Sequence, residues 1–292
     1  MAQDSKLFSL RALATICGSL LAGCDNGHVS LRITDAPIDA AVSVTIEIES
    51  VELNSIDTGL ERIRFNPPRR VDLLGIPAGQ TELLFDSEPF PRGNYDFLRL
   101  VVNAQQGVLD SFIELDDGGV HSLHITTADA AGLTLTQSFR VPRTRDLNLT
   151  LDFNLRRSIE SPAVADGDYV LRPTLRLVND EEAGVITGSV DQSRIVTDCE
   201  PAVYVFTGLN AVPDDLDTTP ADDPITSAFV QLDNTIGIHN YTTAPLVAGD
   251  YTVAFTCEAD LDDPTVDDVI DFPVTENAQV VAEETVTVDI PG

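Results

Sequence analysis

Two clusters of aspartates give the sequence its clearest potential for chemistry. Calcium takes roughly six to eight oxygen ligands, and flexible loops rich in Asp can supply them. Neither cluster has the spacing of an EF-hand or of a nonapeptide calcium repeat, so the alternative is a pair of solvated acidic loops without a metal. No organic cofactor is expected. The first cluster comprises residues 214–217 with Asp222 and Asp223, and the second comprises residues 260–263 with Asp267 and Asp268. The predicted calcium ligands are Asp214, Asp215 and Asp217 in the first cluster, and Asp260, Asp262 and Asp263 in the second.

The surrounding strand pattern predicts that the two clusters lie apart. Residues 251–257 form an apolar strand that ends in Cys257, and a disulfide to Cys199 would set it antiparallel to a strand at 203–207. One acidic loop then leaves from each end of this strand pair, about 20 Å apart at about 3.3 Å per residue. We therefore expect two separate loop sites rather than one shared ion.

Other catalytic arrangements do not fit the sequence. It has no Gly-x-Ser-x-Gly nucleophile motif, no P-loop and no dinucleotide-binding glycine fingerprint. His121 and His124 fall on a predicted strand, where an odd spacing puts the two rings on opposite faces rather than around one zinc ion. Paired carboxylates are too numerous to single out an acid and a base. We therefore expect a protein that is not an enzyme.

The arginines form a few local concentrations that have two interpretations. They could bind an anionic glycan or a carboxylate ligand, or they could neutralise neighbouring acids, and the second interpretation is favoured because exposed ion pairs of this kind are common. The residues concerned are Arg156 with Arg157, Arg69 with Arg70, and Arg143 with Arg145.

The charge of the chain excludes one class of partner. Its 292 residues carry 17 basic and 48 acidic side chains, for a formal net charge of −31. Nucleic acid is excluded as a partner, because a protein that binds a polyanion needs clustered Lys and Arg, and the net charge of this chain repels one. Residues 24–182 carry a net charge of −12, whereas residues 183–292 carry −20 with Arg194 as their one cation.

The N-terminus predicts export and lipid anchoring. Lys6 and Arg11 precede a run of about ten mostly apolar residues, too short to span a bilayer, which needs roughly twenty. The run ends in Leu21-Ala22-Gly23-Cys24, which resembles a bacterial lipobox. The resemblance implies cleavage after residue 23, lipidation of Cys24 and attachment to a membrane of the bacterial envelope, inner or outer. The alternative is an ordinary secretory signal in which Cys24 is incidental.

The remaining cysteines fit an oxidising compartment. Only Cys199 and Cys257 follow Cys24 in the exported chain, and an even pair is expected to form one disulfide. Closing that loop stabilises the fold by about 4 kcal/mol on the chain-entropy model. Two buried free thiols are the alternative.

Apolar residues at every second position dominate the exported chain, as in Leu147-Asn148-Leu149-Thr150-Leu151. Such alternation predicts strands with one buried and one wet face, and hence an all-β fold. The pattern changes parity between Ile48 and Val51, which predicts a β-bulge near Glu49–Ser50. A polar stretch at 179–184 separates two domains. We expect a signal peptide at 1–23 and antiparallel β-sandwiches at 24–182 and 183–292.

The first domain carries an ordered series of motifs. These include Thr34-Asp35-Ala36-Pro37, Val71-Asp72-Leu73-Leu74, Pro91-Arg92-Gly93-Asn94-Tyr95 and Leu171-Arg172-Pro173-Thr174-Leu175. Together they resemble the bacterial domain of unknown function 4382 over about residues 28–178. That family carries no established activity, so the resemblance transfers no catalytic residue. Residues 246–255 resemble the turn and strand of transthyretin-like and carboxypeptidase-regulatory-like sandwiches, which implies an accessory module.

These features together predict a lipid-anchored protein of the bacterial envelope. Its expected role is non-enzymatic binding or adhesion, with a glycan or an envelope protein as partner. A structural spacer without a ligand is one alternative. A calcium-dependent hydrolase is another, and it predicts a pocket lined by carboxylates whose pKa values are raised.

Overall fold

The computed structural model describes residues 26–36, 38, 41–162, 167–172, 174–217 and 222–292. The predicted signal peptide and Cys24 lie outside these residues. Strands account for most of the described chain, in agreement with the all-β expectation. No helix in the described residues is long and apolar enough to span a bilayer.

Strands β1 to β13 build the first domain. Their bounds are β1 (Asn26–Ala36), β2 (Ala41–Ser55), β3 (Gly59–Asp72), β4 (Glu82–Pro91), β5 (Gly93–Asn103), β6 (Phe112–Leu115), β7 (Val120–Ile125), β8 (Leu133–Leu135), β9 (Phe139–Val141), β10 (Leu147–Asn154), β11 (Ile159–Glu160), β12 (Tyr169–Leu171) and β13 (Leu175–Asn179). One α-helical turn, α1 (Leu155–Ser158), follows β10, and a 3-10 turn spans Thr127–Asp129.

The first domain is a sandwich of two sheets. One has the order β13-β10-β1-β4, and the other has the order β11-β12-β7-β6-β2-β5-β8, with β3 and β9 added to β2 and β5. Apolar residues from both sheets meet in one core, as the alternating pattern requires, for example Leu31 and Leu151 from the first sheet with Ile46 and Leu98 from the second. Antiparallel pairs predominate, although β1 pairs with β10 and β7 with β12 in parallel.

The predicted β-bulge is confirmed. The register of β2 against both β3 and β5 shifts between Ile48 and Ser50. Ile48 on one side of the shift and Val51 and Leu53 on the other are all fully buried. The extra residue therefore returns the second half of β2 to the core face.

Strands β14 to β22 build the second domain. Their bounds are β14 (Ala183–Val190), β15 (Ala202–Thr207), β16 (Thr226–Phe229), β17 (Gln231–Asp233), β18 (Ile238–Thr242), β19 (Leu246–Val247), β20 (Gly249–Thr256), β21 (Val274–Val280) and β22 (Thr285–Thr287). Three 3-10 turns complete the chain: Asp180–Glu182, which joins β13 to β14, and Gln192–Arg194 and Ala259–Leu261.

The second domain is also a sandwich. One sheet has the order β17-β18-β14-β19, with β22 parallel to β14, and the other has the order β16-β15-β20-β21. β15 and β20 run antiparallel, from Ala202 opposite Thr256 to Thr207 opposite Tyr251. Cys199 and Cys257 form the expected disulfide beside this pair, with an S–S distance of 2.00 Å.

The outer face of the β15–β20 sheet is covered rather than exposed to solvent. Tyr204, Phe206 and Ala254 form a small second cluster there, and Ala211 and Phe272 pack against it. The segment after β15 therefore lies on the sheet instead of extending away from it.

Candidate functional site

The two arginines that follow β10 project into the junction of the two domains. Asn154 ends β10 and caps α1, because its side chain accepts a hydrogen bond of 3.1 Å from the backbone N–H of Arg157. A single helical turn redirects the chain, so that consecutive side chains leave the sheet toward the second domain. Arg156 and Arg157 thereby reach different partners there.

Arg156 forms a buried ion pair across the junction. Its Nη1 lies 2.9 Å from Oδ2 of Asp262, and only 5% of the arginine side chain and none of the aspartate side chain is exposed. The Tyr204 hydroxyl donates to the same carboxylate oxygen and also contacts Arg156. Burial raises the pKa of Asp262, against the opposing effects of the Tyr204 hydrogen bond and the Arg156 charge. Buried charges persist only when they are paired and hydrogen-bonded in this way.

Arg157 binds the first acidic loop. Its Nη2 donates to the backbone carbonyl of Asp217 at 2.6 Å and pairs with the carboxylate of Asp223. The interpretation that the arginines neutralise neighbouring acids is confirmed for Arg156 and Arg157. It also holds for Arg69 and Arg70, which pair with Glu82 and Glu47, and for Arg145, which pairs with Glu181.

The expectation that the two acidic loops lie about 20 Å apart is wrong. The backbone N–H of Leu216 donates to Oδ1 of Asp262 at 3.1 Å, and that of Asp268 donates to Oδ2 of Asp215 at 2.6 Å. The first loop does leave from the far end of β15, but it then runs back along the sheet. Ala211 packs on the outer face and its N–H bonds Oγ1 of Thr252 at 3.0 Å. A segment of nine extended residues after β15 reaches about 30 Å, which exceeds the distance of about 20 Å between the two ends of the strand pair.

The six predicted calcium ligands have different environments. Asp215, Asp217 and Asp262 are buried, whereas Asp214, Asp260 and Asp263 are exposed. Oδ1 of Asp263 accepts from the N–H of Thr265, as in an Asx turn. Of the six, only Asp215 and Asp262 belong to a group of three carboxylates that could share one ion.

These two aspartates meet a third that the prediction of ligands omitted. Asp215, Asp262 and Asp268 each place a carboxylate oxygen within 4.8 Å of the others. Asp268 stands in the second cluster of the sequence, but only the contact between the loops distinguishes it from its neighbour Asp267. This group of three aspartates lies beside Arg156, because Asp262 is both a member of the group and the ion-pair partner of Arg156.

A groove with a volume of about 820 Å³ opens beside this cluster, between β10 and β13 of the first domain and the segment after β15. It combines hydroxyl, amide and charged groups with apolar surface. Lining residues include Asn154, Arg157, Thr174, Arg176, Phe206, Val212, Asp214 and Asp222.

An ion pair forms part of the groove wall on the first domain. Asp152 and Arg176 lie directly opposite each other in β10 and β13, and Nη2 of Arg176 is 2.6 Å from Oδ2 of Asp152. Oδ1 of Asp152 and Nη1 of Arg176 have no hydrogen-bond partner among the described residues. No pattern in the sequence indicates this ion pair, because it depends on the register of two strands.

The groove has more negative than positive charge. Asp152, Asp214 and Asp222 line it together with Asp223, against the two guanidinium groups of Arg157 and Arg176, and both arginines are already paired. Loss of solvent raises the pKa of Asp214, the groove residue that leads into the buried Asp215. The groove therefore favours a neutral or cationic ligand over an anionic one.

Comparison with known proteins identifies one family. A family model described as "Domain of unknown function (DUF4382)" matches residues 26–173. No curated protein matches the chain.

Several solved structures match most of this chain at low identity and low TM-score. The Bacillus anthracis TIE protein is 9% identical with a TM-score of 0.21, and the match covers 91% of this chain and 33% of that chain. The minor pilin GBS52 of Streptococcus agalactiae is 9% identical with a TM-score of 0.20, covering 89% and 94%. The shaft pilin SpaA of Lactobacillus rhamnosus GG is 10% identical with a TM-score of 0.21, covering 91% and 98%. This chain thus spans about a third of the length of the TIE protein. Such low identities and TM-scores say nothing about its function.

Proposed function

This chain belongs to the DUF4382 family. We propose that it is a lipid-anchored, non-enzymatic binding module of the bacterial envelope. In this proposal it holds a glycan in the groove between its two domains. The groove carries the proposal. Its volume of about 820 Å³ suits a small ligand rather than a flat protein surface. A role as a spacer without a ligand gives no reason for such a groove.

The chemistry of the groove supports a glycan. Asn154, Thr174 and Arg176 offer amide, hydroxyl and guanidinium groups, while Leu175 and Val212 offer apolar surface. Sugar rings need both kinds of contact, because their hydroxyls form hydrogen bonds and their C–H faces pack on apolar groups. The excess of carboxylates favours a neutral or amino-bearing glycan over an acidic one.

A glycan array probed with the purified protein tests this proposal. We expect binding to neutral or amino-bearing glycans and not to acidic ones. Val212 at the groove is 86% exposed, so Val212→Trp should fold normally and lower the affinity at least about tenfold by filling the site. Val269→Trp is the matched control, because Val269 is 98% exposed and does not line the groove. Absence of binding, or equal affinity of both variants, would contradict the proposal.

A hydrolase is the second candidate, and one observation favours it. Asp214 lines the groove and has a raised pKa, which is the property of a general acid. The same glycans are therefore incubated with the protein and monitored for released reducing sugar. Binding without release supports a binding module, and release that Asp214→Asn abolishes would establish an enzyme.

The lipid anchor is proposed from the Leu21-Ala22-Gly23-Cys24 motif. Cys24→Ser should move the protein from the membrane fraction to the soluble fraction and remove the acyl mass from its N-terminus. Cys17→Ser is the matched control and should stay in the membrane, because Cys17 is predicted to leave with the signal peptide. Equal membrane association of both variants would count against lipidation at Cys24.

A further inference from the structure

We propose that Asp215, Asp262 and Asp268 bind one calcium ion between the two acidic loops, at the junction of the domains. The proposal does not depend on which ligand the groove takes. It replaces the expectation of two separate loop sites, and it assigns a ligand role to Asp268.

The spacing of the carboxylates suits calcium. Oxygens of all three residues lie within 4.8 Å of one another. Two ligands on opposite sides of calcium are separated by about 4.6–5.2 Å, because each Ca–O distance is about 2.3–2.6 Å. Magnesium demands a near-ideal octahedral geometry and gives up its water reluctantly, so a group of carboxylates from two flexible loops suits it less well. One calcium ion can therefore contact all three carboxylates without a large rearrangement of either loop.

A buried oxygen without a partner points independently to a ligand. Asp215 is only 2% exposed, and its Oδ1 has no hydrogen-bond partner among the described residues. Its Oδ2 already accepts the N–H of Asp268. A buried carboxylate oxygen without a donor is costly, and a cation held between Asp215 and its two neighbours would satisfy it.

The local charge leaves room for a divalent cation. Three carboxylates converge, and Arg156 offsets one of them through Asp262. Arg157, which follows Arg156 in the chain, pairs with Asp223. Two of the three negative charges therefore have no cationic partner among the described residues, one on the buried Asp215 and one on the half-buried Asp268. A calcium ion matches that charge.

Calcium at this position would fasten the junction. Asp262 binds Arg156 of the first domain through Oδ2 while its Oδ1 accepts the N–H of Leu216 in the first acidic loop. Fixing the loop at Asp215 would also fix Asp214 in the groove wall. The ion would thus stabilise the two-domain arrangement as well as each loop.

Thermal melting of the purified protein tests the proposal first. We expect calcium at about 100 times its Kd to raise Tm by about 5–10 °C relative to the chelated protein. Magnesium at the same concentration should produce a clearly smaller rise. The proposal is overturned if calcium leaves Tm unchanged, or if magnesium and calcium act equally.

Calorimetric titration with calcium alone then tests the assigned ligands. Asp215→Asn and Asp268→Asn keep the shape of each side chain and remove its charge, and each should raise the Kd for calcium at least about tenfold. Asp260→Asn is the matched control, because Asp260 lies in the same loop, is exposed and stands outside the group of three. Circular dichroism verifies that each variant is folded. Equal affinity of the three variants would assign binding to diffuse acidity and refute the site.

Discussion

Arg156 shows how one residue can hold two domains together. Its guanidinium is almost completely buried and pairs with Asp262 from the second domain. Removing one member of such a pair leaves the other as an uncompensated buried charge. The loss then exceeds what the pair itself contributes.

We predict that Arg156→Ala lowers the free energy of unfolding by about 3–5 kcal/mol. Arg172→Ala provides the matched control, because Arg172 pairs with Glu160 in solvent, with both side chains about half exposed, and should lose at most about 1 kcal/mol. Urea denaturation of both variants measures the difference. Similar losses of unfolding free energy in the two variants would show that burial does not make the Arg156–Asp262 pair more costly to break than an exposed pair.

The raised pKa of Asp35 makes the stability of the fold depend on pH. Burial, together with the nearby charge of Asp152, raises the pKa of its carboxyl from 3.8 to about 8. Between those two pH values the folded protein holds a proton that the unfolded chain has released. This group therefore lowers stability as the pH rises through that window, and its effect levels off above about pH 8.

Asp35→Asn should remove this dependence. The variant should gain stability relative to the parent as the pH rises from about 4 to about 8, because Asn does not ionise. Paired denaturation curves across that range measure the difference between the two proteins, in which the other titrating groups cancel. A difference that stays constant with pH would show that Asp35 is ionised in the folded protein.

At the scale of elements, the sequence predicted what depends on local burial. Alternating residues located β10, and the parity change at Ile48 located the bulge in β2, because each side chain reports directly which face of its strand is buried. The antiparallel pairing of β15 with β20 followed from the disulfide. These inferences needed no knowledge of distant parts of the chain.

The path of the first acidic loop was not predictable in the same way. Its return depends on Ala211, which packs against the small cluster that contains Phe206 and donates its N–H to Oγ1 of Thr252, and neither contact has a periodic signature. The Asp152–Arg176 pair required the register of two strands that are distant in sequence. The composition of the acidic cluster was therefore visible in the sequence, whereas its partners were not.

The disulfide predicts a stability effect at the same scale. Cys199 and Cys257 are 58 residues apart, and closing a loop of that length stabilises the fold by about 4 kcal/mol on the chain-entropy model. The double variant Cys199→Ser/Cys257→Ser should lose about that amount in urea denaturation. The parent protein under reducing conditions should lose a similar amount. A loss below about 1 kcal/mol would indicate that the strands alone constrain the loop.

The whole molecule carries its charge unevenly. Residues 183–292 hold 21 acidic side chains and a single arginine, Arg194. Arg156 and Arg157 of the first domain offset part of this charge, but only at the junction. The rest of the second domain repels itself at low ionic strength.

Salt should therefore stabilise the protein even without calcium. We predict that Tm in the presence of a chelator rises between about 0.01 M and about 1 M sodium chloride, as the screening length falls from about 30 Å to about 3 Å. The double variant Asp260→Lys/Asp267→Lys reduces the repulsion at two exposed positions and should show a smaller rise. A Tm that does not respond to salt would mean that self-repulsion is unimportant.

The position of β1 has a mechanical consequence. β1 is the strand nearest the predicted anchor, and it lies in the interior of its sheet, parallel to β10 and antiparallel to β4. A pull on its N-terminal end acts along the strand, so hydrogen bonds on both edges bear the load together instead of opening one after another. Eight residue pairs align β1 with β10, in addition to the pairs between β1 and β4. Single-molecule stretching from the N-terminus should therefore meet high resistance at the first domain.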